Sequence, residues 1–383
     1  MIIVNPANMP FELRAWKVRL ALEAPYKLAF GPVTCLETIF IQVNGEDGQT
    51  GLGEASFLTG YTDEVFDESW SFLQQWVTKH RSYDHFHDGV TALAGPRPFL
   101  ASALRSALDM AAGSPVLNPR HALRVPVLGL LQGNTPSQLE DNLHTLVRQG
   151  YRTIKLKVGF EPLSDSRFVN QVVKLAQSMP PLMPQAASRF SDLHFRVDAN
   201  QGFSSDQGIA FLKGLKSESI KQIELFEQPC PAHDWDAHAR VVPHANDLGV
   251  KLMLDESIYN QADIQRAADQ RLASFIKVKL MKFEGLDALL SAITLIKDLG
   301  MTPVLGNGVA SDINCWMEGC VADLCIANAG EMNGYLKQEK SPLLEPLAFE
   351  NGYLCAPLGW RPSFNFDALK SLQEGTILVS IES

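Results

Sequence analysis

Residues 153–157 read TIKLK. The run is apolar and β-favouring apart from Lys155 and Lys157, and residues two apart in a strand point to the same side. Both ammonium groups therefore face one way. Packing has no use for such a pair. Like charges this close disfavour each other's protonation, and a lysine whose pKa is lowered can act as a base near neutral pH. Alone, the run reads more simply as a half-exposed strand with solvated lysines. The segments that follow decide between the two.

From residue 125 onward, short apolar runs alternate with longer stretches of helical spacing. The runs are VPVLGLL (125–131), TIKLKVG (153–159), LHFRVDAN (193–200), IELFEQP (223–229), KLMLDES (251–257), FIKVKL (275–280), TPVLGN (302–307) and, more weakly, GEMNGYL (330–336). Eight βα units in about 210 residues predict an α/β fold of the (β/α)8, TIM-like barrel type. An open doubly wound sheet is the runner-up, but no GxGxxG follows a strand, so a dinucleotide site is not indicated. The segment PLMPQAAS (181–188) reads as an irregular insertion.

In a parallel barrel the site lies at the C-terminal ends of the strands. The second run ends in Lys155 and Lys157, the third in Asp198 and Asn200, the fourth in Glu227, the fifth in Asp255 and Glu256, and the sixth carries Lys277 and Lys279. Asp198, Glu227, Asp255 and Lys279 follow at steps of 29, 28 and 24 residues, each one βα unit, so these groups converge at one mouth. One such Asp is often only a helix N-cap. Three carboxylates in register repel one another unless a cation joins them, and oxygen-only ligands suit a hard ion: Mg²⁺, with Mn²⁺ as the alternative. Lysines on both flanks would put a base on each face of a metal-held acid. That is what removal of a proton next to a carboxylate requires.

The remaining sequence bounds the picture. A 383-residue chain with 46% hydrophobic and 20% charged residues is long enough for a barrel with an added domain and has the balance of a packed fold. Strand-like RAWKVRLAL, LETIFIQV and TGLGEAS, the last two flanking turn-rich NGEDGQ, precede helical spacing at 63–80 and 99–112. This predicts an α+β capping domain over residues 1–124, the barrel over 125–345, and a segment over 346–383 that returns to the cap. APYKLAFGPVT reads as a loop. The net charge of −10 argues against a nucleic-acid partner. No run reaches the ~18 apolar residues of a membrane span. The start MIIVNPANMPFELRAW lacks a signal peptide's basic beginning and apolar core, and the six cysteines form no CxxC pair. A cytoplasmic protein with reduced thiols and a small-molecule carboxylate substrate is expected.

With these motifs assembled, the chain resembles the muconate lactonizing enzyme subgroup of the enolase superfamily. TIKLKVG resembles its Lys-x-Lys strand, RVDANQGF, ELFEQP and LMLDES its three metal-ligand strands, FIKVKLMKFEGL its sixth strand, and ALRSALDMAA the helix closing its capping domain. The resemblance implies Mg²⁺ on Asp198, Glu227 and Asp255. It implies Lys157 and Lys279 as the acid/base pair, with Lys155 tuning Lys157 and with Asn200 and Glu256 beside the metal or substrate. It also implies a homo-oligomer. All nine histidines lie at or before His244, so none can serve on the sixth to eighth strands. That excludes the His–Asp dyad of the mandelate racemase-like subgroup.

The subgroup hosts racemisation or epimerisation of N-acyl amino acids and dipeptides, cycloisomerisation of muconates, and dehydration to o-succinylbenzoate. Two opposed lysines favour the racemase or epimerase. A cycloisomerase or β-eliminating lyase is the alternative, and a non-catalytic small-acid-binding barrel a distant third. Departures from the common pattern fall at Glu284-Gly285, at LGNGVASD, which offers Asn307, and at GEMNGY, where Glu331 and Asn333 stand two apart. Dipeptide epimerases carry an Asp-x-Asp pair there to hold the substrate's ammonium group. Glu331 is either a weaker version of it or a polar strand end satisfied by backbone. Tyr26, Phe30, Phe57 and Tyr61 suggest an aromatic lid, with Lys27 facing a second anionic group on the substrate.

Overall fold

The structure is a computed structural model, and it describes residues 11–28, 31–45, 48–58, 62–133, 135–178 and 193–382. Three strands come first among the described residues: β1 (Phe11–Leu28), β2 (Gly31–Gly45) and β3 (Thr50–Phe57). Helices α1 (Phe66–Lys79), α2 (Tyr83–Leu93) and α3 (Pro98–Ala111) follow. The alternating units are β4 (Leu123–Pro126), β5 (Gly129–Leu130), α4 (Pro136–Arg148), β6 (Thr153–Lys157), α5 (Pro162–Ser178), β7 (His194–Asp198), α6 (Ser205–Gly214), α7 (Ser217–Ile220) and β8 (Ile223–Glu227). They continue with α8 (Trp235–Leu248), β9 (Leu252–Leu254), α9 (Gln261–Asp269), β10 (Phe275–Val278), α10 (Gly285–Asp298), β11 (Thr302–Leu305) and α11 (Asp312–Cys325). The chain ends in β12 (Ala348–Glu350), β13 (Tyr353–Ala356), α12 (Phe366–Leu372) and β14 (Gln373–Ile381).

An antiparallel sheet in the order β14-β1-β2-β3 forms the cap. The reading of APYKLAFGPVT as a loop is corrected: β1 runs to Leu28 and β2 starts at Gly31, with the register slipping between Ala21 and Tyr26. The slip supplies the irregularity that Pro25 demands without ending the pairing. Glycines let α3 lie directly on β3. A Cβ on Gly51 would stand 1.8 Å from the Ala107 carbonyl oxygen, and one on Gly53 would stand 1.9 Å from that of Ala103. The spacing G-x-G along one strand face thus matches A-x-x-x-A along one helix face. Phe11, Leu13, Ile39, Phe57, Trp70, Trp76 and Leu104 belong to the core this contact seals.

The second sheet is parallel, β11-β10-β9-β8-β7-β6-β5, as expected of the α/β barrel. Two expected strands differ. Residues 125–131 divide: β4 pairs with β13 outside the barrel, and only β5 enters it. Pro126 has no N–H to carry one ladder through; its carbonyl instead accepts from Gly330 N at 3.0 Å. Residues 330–336 form no strand. Gly330 makes one parallel bridge to Val127, Glu331 N donates to Leu305 O at 2.9 Å, and a 3₁₀ turn follows at Gly334–Lys337. Backbones crowd here, since a Cβ on Gly334 would meet the Ala310 oxygen at 2.1 Å. This short segment closes the barrel between β11 and β5. β14 returns to pair with β1, while β12 and β13 stay with β4. The proposed insertion at 181–188 lies outside the described residues. Among the described residues, no helix is long and apolar enough to cross a membrane.

Candidate active site

Strand alternation builds the site. Asp198 and Glu227 are register partners on β7 and β8, and Glu227 pairs with Met253, so Asp255 follows on the same inward face. Directly below, Leu225, Met253, Phe275 and Val304 form a small apolar cluster of their own. Each of the first three lies two residues before a charged residue of the site, so this cluster floors the barrel under the charges.

Lys155 and Lys157 share one oxygen: their Nζ atoms lie 2.8 and 2.6 Å from Asp198 Oδ2. They are not solvated surface lysines. Lys155 also lies 3.0 Å from Glu227 Oε2 and 2.9 Å from Glu331 Oε2. Lys157 donates to Asn200 Oδ1, and Asn200 Nδ2 donates to Glu256 Oε1 at 3.1 Å. Across the barrel, Lys279 Nζ is 2.8 Å from Asp255 Oδ2. Lys277 reaches Glu227 Oε1 at 3.0 Å, Asp255 Oδ2 at 3.4 Å and Glu331 Oε2. Lys282 donates to the Asp255 carbonyl at 2.7 Å and lies over the Tyr259 ring.

Exposure sorts the lysines. The Lys157 and Lys279 side chains are 15% and 16% exposed, whereas Lys155 and Lys277 are 2% and 3%. The first two open into a cavity of about 360 Å³ that Lys155, Lys277, Asn200, Glu256, Asn307 and Glu331 also line. A larger cleft of about 600 Å³ adjoins it through Leu58, Glu256, Lys279, Asn307 and Val309, and extends to Asp63, His233 and Tyr259.

Burial and charge compete at each carboxylate. Burial would raise the Asp198 carboxyl, but the charges of Lys155, Lys157 and Lys277 overcome it and hold it at about 2. Asp255 is likewise held well below its usual range by Lys279, Lys277 and Lys282 in spite of its burial. Glu227 is pushed up, by burial first and then by the Asp198 charge. Burial lowers the Lys282 ammonium to about 8.

The supports of these groups were not singled out in the sequence. Gln228 is fully buried, with φ 36° in the left-handed region. Its Oε1 accepts from Asp255 N at 2.9 Å and its Nε2 donates to Ser257 Oγ at 2.8 Å, tying β8 to the end of β9. Glu318 accepts from Leu280 N and Asn307 N at 2.8 and 3.0 Å, bracing the residue after Lys279; burial pushes its carboxyl up to about 7. Glu54, on β3, accepts from Ser311 N, Ser311 Oγ and Asn314 N and so joins the cap to the start of α11. Only the Lys-Val-Lys alternation at 277–279 carried a sequence signal, the same one as Lys-Leu-Lys at 155–157.

Several expected substrate contacts fall elsewhere. Phe57 is 1% exposed and packs against Phe66 and Phe99 in the core of the cap; Leu58 lines the cleft instead. A residue at the last position of β3 faces inward or outward by strand parity, which its aromatic type could not reveal. Asn333 donates to Leu128 O at 2.9 Å and accepts from Lys337, so it is engaged by the end of β5 and the following turn. Glu331 is buried yet lines the same cavity as Lys157 and Lys279. Burial opposes its charge, yet Lys155, Lys277, Lys157 and Lys337 hold it well below the usual carboxylate range. Its Oε2 is already engaged by the Lys155 and Lys277 ammonium groups. The side chains of Tyr26 and Lys27, and Phe30 and Tyr61 entirely, lie outside the described residues.

Among the described residues, no three His, Cys, Asp or Glu side chains are already arranged around one cation position. The donor set nevertheless suits a hard cation. Asp198, Glu227 and Asp255 offer only oxygen and are at most 2% exposed, and Glu227 Oε2 receives no hydrogen bond from the described residues although Lys155 stands 3.0 Å away. Asp198, Glu227, Asp255 and Glu331 each lie within ion-pair distance of at least one lysine ammonium, so their charges are offset within the protein.

Comparison with known proteins gives the lineage. Residues 138–360 match the family described as "Enolase C-terminal domain-like". A hydrophobic dipeptide epimerase of Citrifermentans bemidjiense is 26% identical over 69% of this chain and 72% of its own. The crystal structure of the N-succinyl Arg/Lys racemase of Bacillus cereus superposes with a TM-score of 0.80 at 21% identity, covering 97% of this chain and all of that one. That of a dipeptide epimerase of Cytophaga hutchinsonii, complexed with Mg and D-Ala-L-Val, gives 0.76 at 18% identity over 97% of this chain and 100% of that one. The chain belongs to the enolase C-terminal domain-like family, within the mandelate racemase and muconate lactonizing enzyme group of the enolase superfamily.

Proposed function

We propose that the protein is a Mg²⁺-dependent racemase or epimerase that removes and returns a proton α to a carboxylate, and that its substrate is an N-acyl amino acid. One observation carries the reading. Lys157 on β6 and Lys279, just past β10, come from strands four places apart in the ring and are the more exposed lysines of one cavity, which Lys155 and Lys277 also line but at only 2% and 3% exposure.

The chemistry follows from that placement. The α-proton of a carboxylate is removable only if the second negative charge of the enediolate is offset. Asp198, Glu227 and Asp255 would hold the divalent cation whose charge does so. A substrate bound between the lysines presents one face to each. One lysine, as the amine, takes the proton. The other, as ammonium, delivers one from the opposite side, and the carbon inverts. Asn200 and Asp198 fix the Lys157 amine, and Asp255 fixes that of Lys279. Lys155, on the same Asp198 oxygen as Lys157, disfavours a second positive charge beside it.

Glu331 selects among the substrates of the family's racemases. Lys155 and Lys277 already bind its Oε2, and Lys157 and Lys337 also act on it, so its charge is taken up within the protein. A carboxylate already bound by two ammonium groups offers a free substrate ammonium little, which favours a substrate whose amino group is acylated. The test is exchange of the α-proton from D₂O, with Mg²⁺, across N-acyl amino acids, dipeptides with free amino ends and muconate-type acids, read by mass spectrometry and chiral chromatography. Deuterium uptake with inversion of N-acyl substrates is expected. Ring closure or water loss without inversion would move the assignment to the cycloisomerase or lyase, and exchange confined to free-amine dipeptides would refute the role given to Glu331.

A further inference from the structure

The reaction needs two exposed lysines, yet a third, Lys277, reaches two of the three carboxylates assigned to the cation. Its side chain is 3% exposed, and its ammonium lies 3.0 Å from Glu227 Oε1 and 3.4 Å from Asp255 Oδ2. Lys155 faces the other Glu227 oxygen at 3.0 Å, so both oxygens of this carboxylate are flanked by ammonium groups. Neither lysine rests on these carboxylates alone. Both also bind Glu331 Oε2, which is buried and is not one of the three. Leu225, Met253, Phe275 and Val304 form an apolar cluster beneath, and Lys277 lines the same cavity as Lys157 and Lys279 while almost fully buried.

We propose that Lys277 is a built-in competitor for the divalent cation and that Glu331 is its tether. A cation that binds Glu227 and Asp255 has to share both with a fixed ammonium, and like charges at this range in a buried setting repel strongly. Glu331 draws that ammonium away from the site. The pair therefore sets how tightly the protein holds its metal, and it keeps the carboxylate cluster neutralised when no metal is bound. The inference rests on the assignment of Asp198, Glu227 and Asp255 as metal ligands.

The two halves of the pair have opposite signs, which a merely structural role would not produce. Lys277→Met should tighten Mn²⁺ binding by about tenfold or more, and Glu331→Gln should weaken it by about tenfold, because the released ammonium then leans on Glu227 and Asp255. Mn²⁺ affinity is measured by calorimetry and by electron paramagnetic resonance of the free ion, on the full chain, without substrate. Lys277→Gln replaces Lys277→Met if the latter does not fold by circular dichroism. Glu227→Gln serves as the control for the site. Unchanged or weaker binding in the Lys277 variants, with binding in the wild type that Glu227→Gln abolishes, overturns the competitor role and leaves the metal assignment standing. Absence of binding in the wild type and in every variant overturns both. Binding that appears only in the Lys277 variants supports the proposal.

Discussion

Replacing Glu54 by Ala should cut the link between the cap and the barrel. Its carboxylate accepts from Ser56 Oγ and Ser311 N at 2.6 Å, from Ser311 Oγ at 2.7 Å and from Asn314 N at 3.1 Å, all in the interior. The serine hydroxyls can rotate to other acceptors. The two N–H groups begin α11 and cannot turn, and each buried donor left without a partner costs roughly 1–3 kcal/mol. The loss is partly offset, because burial already raises the Glu54 carboxyl and its removal ends that penalty. A net destabilisation of about 3 kcal/mol is expected, read as the loss of unfolding free energy in urea. The cap carries Leu58 and Asp63 over the cleft that contains Lys279. Glu54→Ala should therefore raise KM more than it lowers kcat. A variant within about 0.5 kcal/mol of the wild type, with KM unchanged, would refute the reasoning.

Other outcomes follow from the same packing and charges. Burial holds the Glu64 carboxyl at about 7, above its unfolded value near 4.5. An acid raised in the folded state favours folding while both states are protonated and loses that advantage as pH climbs through this window. Wild-type stability should thus fall relative to Glu64→Gln between pH 4.5 and 7, by up to about 3 kcal/mol, in urea titrations across pH. Gly53→Val should unseat α3 from β3, since even a Cβ lies 1.9 Å from backbone, and should lower the melting temperature sharply in a calorimetric scan. Phe57→Leu should cost stability and leave KM close to wild type, because Phe57 packs in the cap and does not touch the cavity.

Much of the barrel was legible because alternation is local. TIKLK, HFRVD and IELFE each put a charged residue and its apolar neighbours on opposite faces, and β6, β7 and β8 realise that pattern. The same rule applied to FIKVK brings Lys277 inward, but sequence could not say that Glu331, 54 residues on, would meet it. Glu54, Glu318 and Gln228 were silent for the same reason: each is defined by partners from another element rather than by its own run. The eighth unit was the weakest in sequence and became a single bridge, because Gly330 and Gly334 admit backbone where a strand would place side chains. Phe57 illustrates the limit for aromatics, whose type fits a lid and a core equally well.

The most direct test of the two-lysine account uses one enantiomer of an N-acyl amino acid at a time, in D₂O with Mg²⁺, on the wild type, Lys157→Ala and Lys279→Ala. The wild type should exchange both enantiomers with inversion. Each variant should lose racemisation, and any exchange that survives should be confined to one enantiomer, opposite for the two variants. Racemisation by either variant, or surviving exchange of the same enantiomer in both, would contradict the account.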